Sequence, residues 1–342
     1  MKKKWIRLSL ILVLTAVFLY FFLRSVEWKE ALDYLAQVNI GFLILVILFF
    51  PINYLTRAIR WNYLLKNEKS NVSLYNRFAA YVIGFTIVFI FPARLGELVR
   101  PLFLAQKEQM KKGFVLGTAV VERIFDIFTM CFLLGLFLVI KPLYSTFIGN
   151  NIEVYSNLYI WGVAGFGVAL AVLIVTLMLY FLKEKTFFVI KFVLKPLPKT
   201  WTDKTLNIFE EFVEGLKFFH SFKNFLMFIL LSFVVWLGII FFFWVFFFVF
   251  SVKLPYFVLF PYVFMIMVGA AIPTPGMVGG YHWLSKLGLT SLYGIDANLA
   301  VSMTVVMHAL QLVLTCLIGY GILAKEGISL LQIKKMGEGN ER

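Results

Sequence analysis

The signatures of soluble enzymes are missing from this sequence. It holds no His-Glu-x-x-His pair, no cysteines at metal-ligand spacing, no glycine-rich phosphate loop ending in lysine and no Ser-His-Asp grouping, which argues against hydrolase and NTPase chemistry. No metal and no cofactor is expected. Cysteine is scarce: Cys131 and Cys316 both fall inside apolar runs and read as small core hydrophobes. Charge is scarce too. Only 15% of the 342 residues are charged against 61% hydrophobic, and several uncharged apolar stretches exceed the roughly 18 residues that mark a spanning helix. A soluble fold could not hide so much apolar surface. Lipid offers the backbone no hydrogen-bond partners, so only helices or closed barrels span, and long continuous runs select helices. The expected class is an all-α polytopic membrane protein with a single transmembrane domain, 1–342.

The net charge of +14 could point to nucleic acid. Here the basic residues sit in short loops between apolar runs, where topology explains them and a binding stripe does not, so nucleic acid is not an expected partner. The apolar runs predict six full spans at about 6–23, 40–58, 115–140, 158–182, 224–250 and 298–323. The first follows Lys2, Lys3, Lys4 and Arg7, lacks a small-residue cleavage site, and reads as an uncleaved span. Two broken apolar regions, 77–104 and 257–287, complete the set.

Lysine and arginine set the orientation, because short cytoplasmic loops carry the excess. The rich segments are the start of the chain, Arg60 to Lys69, Arg94 to Lys112, Lys183 to Lys223, and the tail from Lys325 to Arg342. Placing them all on one side requires each broken region to cross an even number of times. Each is therefore either a re-entrant pair of half-helices or a pair of short spans; the lengths around Pro92 favour re-entry, with the first dipping in from the cytoplasm and the second from outside. Both termini then lie in the cytoplasm and the protein in the cell membrane. Paired, Pro/Gly-interrupted segments in corresponding halves suggest an inverted repeat, about 6–140 and 158–323, with a binding site at mid-membrane. Within the eight-lysine loop, Leu206, Phe209, Phe212, Val213, Leu216 and Phe219 recur at helical spacing, so 202–222 reads as an amphipathic helix. It lies either on the inner leaflet or against the bundle.

The charged residues inside apolar regions carry the chemistry. In the first break, Arg94, Glu97 and Arg100 step by three along one face after Pro92. Arginine's fork holds phosphate or carboxylate, so a headgroup phosphate is one reading; an Arg94–Glu97 pair that eases insertion is the other. Glu122, Arg123 and Asp126 lie in the next span, where each charge costs about 2.5–3.5 kcal/mol at the bilayer centre. They must be paired or face water, and Arg94 and Arg100 are the expected partners. Arg57 and Arg60 close span two, where they either contact headgroups or snorkel. The second break, from Pro273 to Trp283, cannot be continuous helix. A half-helix starting near Gly276 would aim N–H groups inward and suit an anion, with Pro275, Gly276, Gly279 and His282 at the site. His308 and Gln311 share one face of the last span. A buried histidine is more often a satisfied structural group.

In this order, Arg57-x-x-Arg60-Trp61, Arg94-Leu95-Gly96-Glu97-Leu98-Val99-Arg100-Pro101, Val121-Glu122-Arg123-Ile124-Phe125-Asp126 and Pro273-Thr274-Pro275-Gly276 form a recognisable set. The chain resembles the flippase-like family that includes the transmembrane region of lysylphosphatidylglycerol synthases, over most of its length. The resemblance implies a polytopic lipid-handling protein that moves an anionic phospholipid, an aminoacyl-phospholipid or a lipid-carried sugar. It implies membrane lipids as partners, and a lipid-synthesising enzyme as a further one. The sequence departs from the common pattern at Met277, where a Gly is frequent, and at His282, where an acidic residue is frequent. Ending at Arg342, it leaves no room for a soluble aminoacyl-transfer domain, so synthesis is not expected of it. Two other classes stay open: a membrane glycosyl- or aminoacyl-transferase with Glu97, Glu122 or Asp126 as base, and a non-catalytic partner of such an enzyme.

Overall fold

A computed structural model of the protein describes residues 27–91, 94–140 and 222–329, with isolated positions elsewhere. The spans expected at 6–23 and 158–182 and the amphipathic segment 202–222 lie essentially outside the described residues. Among those described are nine α-helices and no strand. They are α1 Trp28–Ala36, α2 Ile40–Leu65, α3 Leu74–Ile90, α4 Gly96–Glu108, α5 Lys112–Ile140, α6 Phe222–Val249, α7 Phe260–Ala271, α8 Gly280–Tyr293 and α9 Ala297–Glu326. Four are long and apolar enough to cross a membrane, namely α2, α5, α6 and α9, and they match the four runs expected there.

The element order repeats. A long helix, a hairpin of two shorter helices and a second long helix run from Ile40 to Ile140, and the same order runs from Phe222 to Glu326. In both hairpins the first helix stops where the sequence demands. Phe91 precedes Pro92 and takes extended angles (φ −110, ψ 145), and Ile272 precedes Pro273 and does likewise (φ −64, ψ 125). A residue before proline is sterically excluded from the α region, so the helix cannot continue.

Each hairpin closes on a pair of glycines. A β-carbon on Gly84 would lie 2.8 Å from Cβ of Arg100, and one on Gly96 would collide with the Gly84 carbonyl. In the second hairpin, β-carbons on Gly269 and Gly280 would each come within 2.6 to 2.7 Å of the other's carbonyl oxygen. Backbone therefore crosses on backbone in both. Gly280→Val is expected to wedge α7 from α8 at about 1–3 kcal/mol, the usual penalty for overpacking. A thermal melt in detergent should register a lower midpoint than for Gly238→Ala, where the added carbon meets nothing within 4 Å.

The contacts fix which ends lie together. At one end the α3–α4 hairpin opens: Lys69 Nζ sits 2.5 Å from a Glu108 carboxylate oxygen, and Ser73 N and Asn76 Nδ2 donate to the other at 3.0 and 2.7 Å. Burial pushes the Glu108 carboxyl up, but these three donors outweigh it and hold the group below the usual carboxylate range. Lys107 pairs with Glu326 at the same end, joining α4 to the last turn of α9. At the opposite end the α7–α8 hairpin opens, where Tyr293 Oη donates to the Val258 carbonyl at 2.7 Å. There Asp296 caps α9 by accepting from Asn298 N and Leu299 N, and Asn298 Nδ2 donates to Glu30 on α1 at 2.7 Å. The short helix α1 was not expected from the sequence. The two hairpins thus enter the bundle from opposite ends, and their breaks meet inside it: a β-carbon on Gly276 would touch the Phe89 carbonyl at 3.1 Å, and Arg94 donates to the Ala270 carbonyl.

Candidate functional site

Helices α2, α4, α5 and α6 each send polar side chains to one place between them. Arg60, on the inward face of α2, is fully buried and holds two carboxylates at once: Nη2 donates to Glu122 at 2.7 Å and Nη1 to Asp126 at 2.7 Å. Arg100 of α4 sits 2.9 Å from the other Glu122 oxygen. Arg123 reaches back from α5 to Glu97 at 2.5 Å and along its own helix to Asp126 at 3.4 Å. Glu97 accepts from Arg94 at 2.7 Å, and Arg57 lies 3.8 Å from Asp126. Arg94, Glu97, Arg100, Glu122, Arg123 and Asp126 are therefore one connected set with Arg57 and Arg60.

The sequence reading placed Arg57 and Arg60 at the cytoplasmic edge, contacting headgroups or snorkelling; the structure turns both inward, Arg57 beside Asp126 and, most deeply, Arg60. Its side chain turns into the bundle because two carboxylates on α5, one turn apart, face it there. Asp126 likewise finds its partners in Arg60, Arg57 and Arg123, and not in Arg94 or Arg100 as expected. Arg100 does pair with Glu122 as anticipated.

Two features set this cluster apart from a balanced clamp. Five guanidinium groups meet three carboxylates, an excess of two positive charges. The excess is exposed in the bonding as well: Arg57 Nη1 and Arg100 Nε and Nη1 are buried without a hydrogen-bond partner among the described residues. Aromatic faces compensate in part. Arg100 lies over Tyr81 and Trp61 at 4.6 and 4.9 Å, and Arg57 over Trp236 and Phe85 at 5.7 and 5.8 Å. A small space of about 10 Å³ adjoins the cluster, walled by Gly84, Phe85, Val88, Gly96, Glu97, Arg100 and Arg123, with room for about one water. The larger cavity is elsewhere and apolar, an open groove of about 450 Å³ between α2 and α3 lined by Pro51, Ile52, Leu55, Leu74, Tyr75 and Phe78.

Strain accompanies the site. Arg94 has φ 53 and Met277 φ 59, left-handed angles that cost a non-glycine residue about 1–3 kcal/mol. One sits in each break. Gly276 is also left-handed at φ 59, so the second break forms a single tight turn, Pro275–Met277, and the helix begins only at Gly280. The N-terminus expected near Gly276 is displaced by four residues for that reason. Pro275, Gly276, Gly279 and His282 consequently lie beside the cluster and outside its ion pairs. His282 Nδ1 accepts from Gly279 N at 3.4 Å, and its ring stands 4.6 Å from that of His308.

Sequence reasoning missed three neutral members. Tyr81 Oη donates to Glu122, Trp236 Nε1 to Asp126 at 2.9 Å, and Ser232 accepts from Arg60 at 3.3 Å. Their signal was weak: single polar tips within otherwise apolar runs. Among the described residues no cluster of His, Cys, Asp and Glu could hold a metal ion.

The family model described as lysylphosphatidylglycerol synthase TM region matches residues 5–319. A UPF0104 membrane protein from Methanocaldococcus jannaschii is 25% identical over 145 residues, which cover 41% of this chain and 43% of that relative. The match thus spans less than half the relative's length. No solved structure matches the chain.

Proposed function

The chain belongs to the family of the lysylphosphatidylglycerol synthase transmembrane region and is a multi-pass membrane protein, and from that premise we propose that it is a translocase for lipids with an anionic, phosphate-bearing headgroup. Its substrate is an anionic phospholipid, an aminoacyl-phospholipid or a polyprenyl-phosphate-linked sugar, whose common feature is the phosphate. The observation that carries this reading is the largely buried cluster with two surplus positive charges between α2, α4, α5 and α6, which Arg94 links to the second hairpin through the Ala270 carbonyl. A phosphate brings the charge and the acceptor oxygens that the cluster lacks, and guanidinium forks are its natural hosts.

The hairpins act as re-entrant pairs of an inverted repeat, one facing each leaflet. At about 1.5 Å per residue, the 17-residue α3 and 13-residue α4 span roughly 25 and 20 Å, short of a hydrocarbon core of about 30 Å. The Lys-rich end, with Lys66, Lys69, Lys107, Lys111, Lys112, Lys223 and Lys325, faces the cytoplasm in keeping with the positive-inside rule. Because the space beside Arg100 holds only about one water, this conformation is occluded, and a headgroup enters when one hairpin moves. The acyl chains stay in lipid, for which the apolar groove beside Pro51 is suited. The transferase reading is less well supported, since Glu97, Glu122 and Asp126 are each engaged by guanidinium groups and none stands free to take a proton from a substrate.

The test is translocation of fluorescent phosphatidylglycerol in proteoliposomes. Arg94→Lys keeps the charge but loses the fork, and should slow translocation about tenfold, equivalent to one lost charged hydrogen bond of ~1.5 kcal/mol. Lys199→Ala should leave the rate unchanged. Unaltered movement of every anionic lipid tried in both variants would make the arginines a topological device only.

A further inference from the structure

The second break carries its own polar centre. His308 of α9 is boxed by three rings: His282 at 4.6 Å and edge-on, Tyr281 stacked at 4.9 Å, and Phe89 at 5.7 Å. The box is buried, with His308 4% and Tyr281 2% exposed. Thr274 Oγ1 has no hydrogen-bond partner among the described residues, and His308 Nε2 and Tyr281 Oη have none of good geometry, the histidine lying loosely against the Gly276 backbone and the tyrosine against Gln311. An unpartnered nitrogen costs the neutral ring, but burial costs the charged ring more, so a proton here needs a negative charge brought close; the stacked Tyr281 face offsets part of that cost. His282 supports the arrangement, because its Nδ1 accepts from Gly279 N and the ring is thereby fixed in orientation and tautomer.

We propose that His308, positioned by His282, is a proton-carrying group whose protonation is coupled to occupancy of the arginine cluster by an anion. The proton comes from the aqueous phase that the open conformation faces, binds at His308 Nε2 and leaves to water when the site empties. The two centres adjoin. Phe89, which packs on His308, ends α3 just before the first break, Gly276 backs onto the Phe89 carbonyl, and Arg94 of the cluster donates to the Ala270 carbonyl at the end of α7. With no anion present, the surplus positive charge of the cluster, of which Arg57, Arg60 and Arg100 are buried and Arg94 and Arg123 partly exposed, opposes a further cation nearby. An anion removes that opposition, and by linkage the proton raises anion affinity by the same factor.

The remaining groups around the pair do not supply a counter-charge. From α8 they are Tyr281 and, one turn on from His282, the half-buried Lys286; from α9, Gln311; from α7, Tyr262, which interacts with Tyr281; from the breaks, the Gly276 backbone, Thr274 and Arg94. Among the described residues none of these groups is a carboxylate. Glu30 and Asp296 lie near the beginning of α9, about three turns from His308. The anion that balances an imidazolium here therefore has to arrive with the cargo.

This inference rests on the anionic-lipid reading, and the two can fail separately. Dihexanoyl phosphatidylglycerol added to wild-type protein in detergent and weak buffer at about pH 6 should draw up to about one proton per chain from solution. His308→Gln, with its thermal transition checked, should bind the lipid without that uptake. In phosphatidylcholine vesicles carrying fluorescent phosphatidylglycerol, wild-type translocation should change severalfold between about pH 5 and 8, and that of His308→Gln should stay flat. No uptake by the wild type, or equal uptake by His308→Gln, overturns the coupling even where lipid moves. Uptake that is lost in His308→Gln, without lipid movement, upholds the coupling and removes the translocase.

Discussion

Arg60→Ala is expected to destabilise the protein by about 3–5 kcal/mol, the cost of breaking a buried ion pair from one side. Arg60 is the only residue described as bonding both Glu122 and Asp126, each at 2.7 Å, and it is fully buried between them. Alanine leaves two carboxylates one helical turn apart with a shared loss. Glu122 keeps Arg100, and Asp126 keeps Arg123 at 3.4 Å and Arg57 at 3.8 Å, so the remainder is looser than what is lost. The measurement is a denaturation series in detergent, repeated for Asp126→Asn and for the double variant. The double variant should be less destabilised than the sum of the singles, because removing the acid also removes the unpaired charge. A loss below ~1 kcal/mol, or strict additivity, would mean that the pair is not what holds α2 against α5.

Arg60 also marks the limit of what the sequence could say. The breaks were legible, because Phe91-Pro92 and Ile272-Pro273 are local steric instructions, and each helix stops at the residue before proline. Four long spans were legible from hydropathy alone. The direction of a side chain near the end of an apolar run was not. Arg57 and Arg60 satisfy the description of snorkelling residues, and only the facing carboxylates of α5 decide that Arg60 turns inward. The same holds for the start of α8: the run Gly276-Met277-Val278-Gly279 does not reveal which residues take positive φ, and three of them doing so, Gly276, Met277 and Gly279, moves the helix to Gly280. Short α1 escaped because Lys29, Glu30 and Asp33 interrupt its apolar face, so it made no span. His282 and His308 lie 26 positions apart on different helices, so their approach to 4.6 Å is a fact of packing.

Glu122→Gln should have the second large effect, and in two directions. The side chain is 1% exposed, accepts from Arg60 and Tyr81 and is ion-paired with Arg100, so an isosteric amide keeps the volume and removes the charge that two guanidinium groups share. Truncating such a partner costs about 2–5 kcal/mol, against about 0–1 for Lys107→Gln, whose pair with Glu326 lies at the rim with the lysine side chain 32% exposed. A purely structural cluster predicts only that difference in melting. An anion site predicts more, because five guanidinium groups would then face two carboxylates and the surplus of positive charge would rise from two to three. Glu122→Gln should retain more anionic lipid through purification, as native mass spectrometry reads it, while translocating it more slowly, since a tighter hold on the headgroup delays release. Lys107→Gln should change neither. Lower stability with unchanged lipid retention would leave the cluster as scaffold, and equal, small effects of the two substitutions would remove it from both roles.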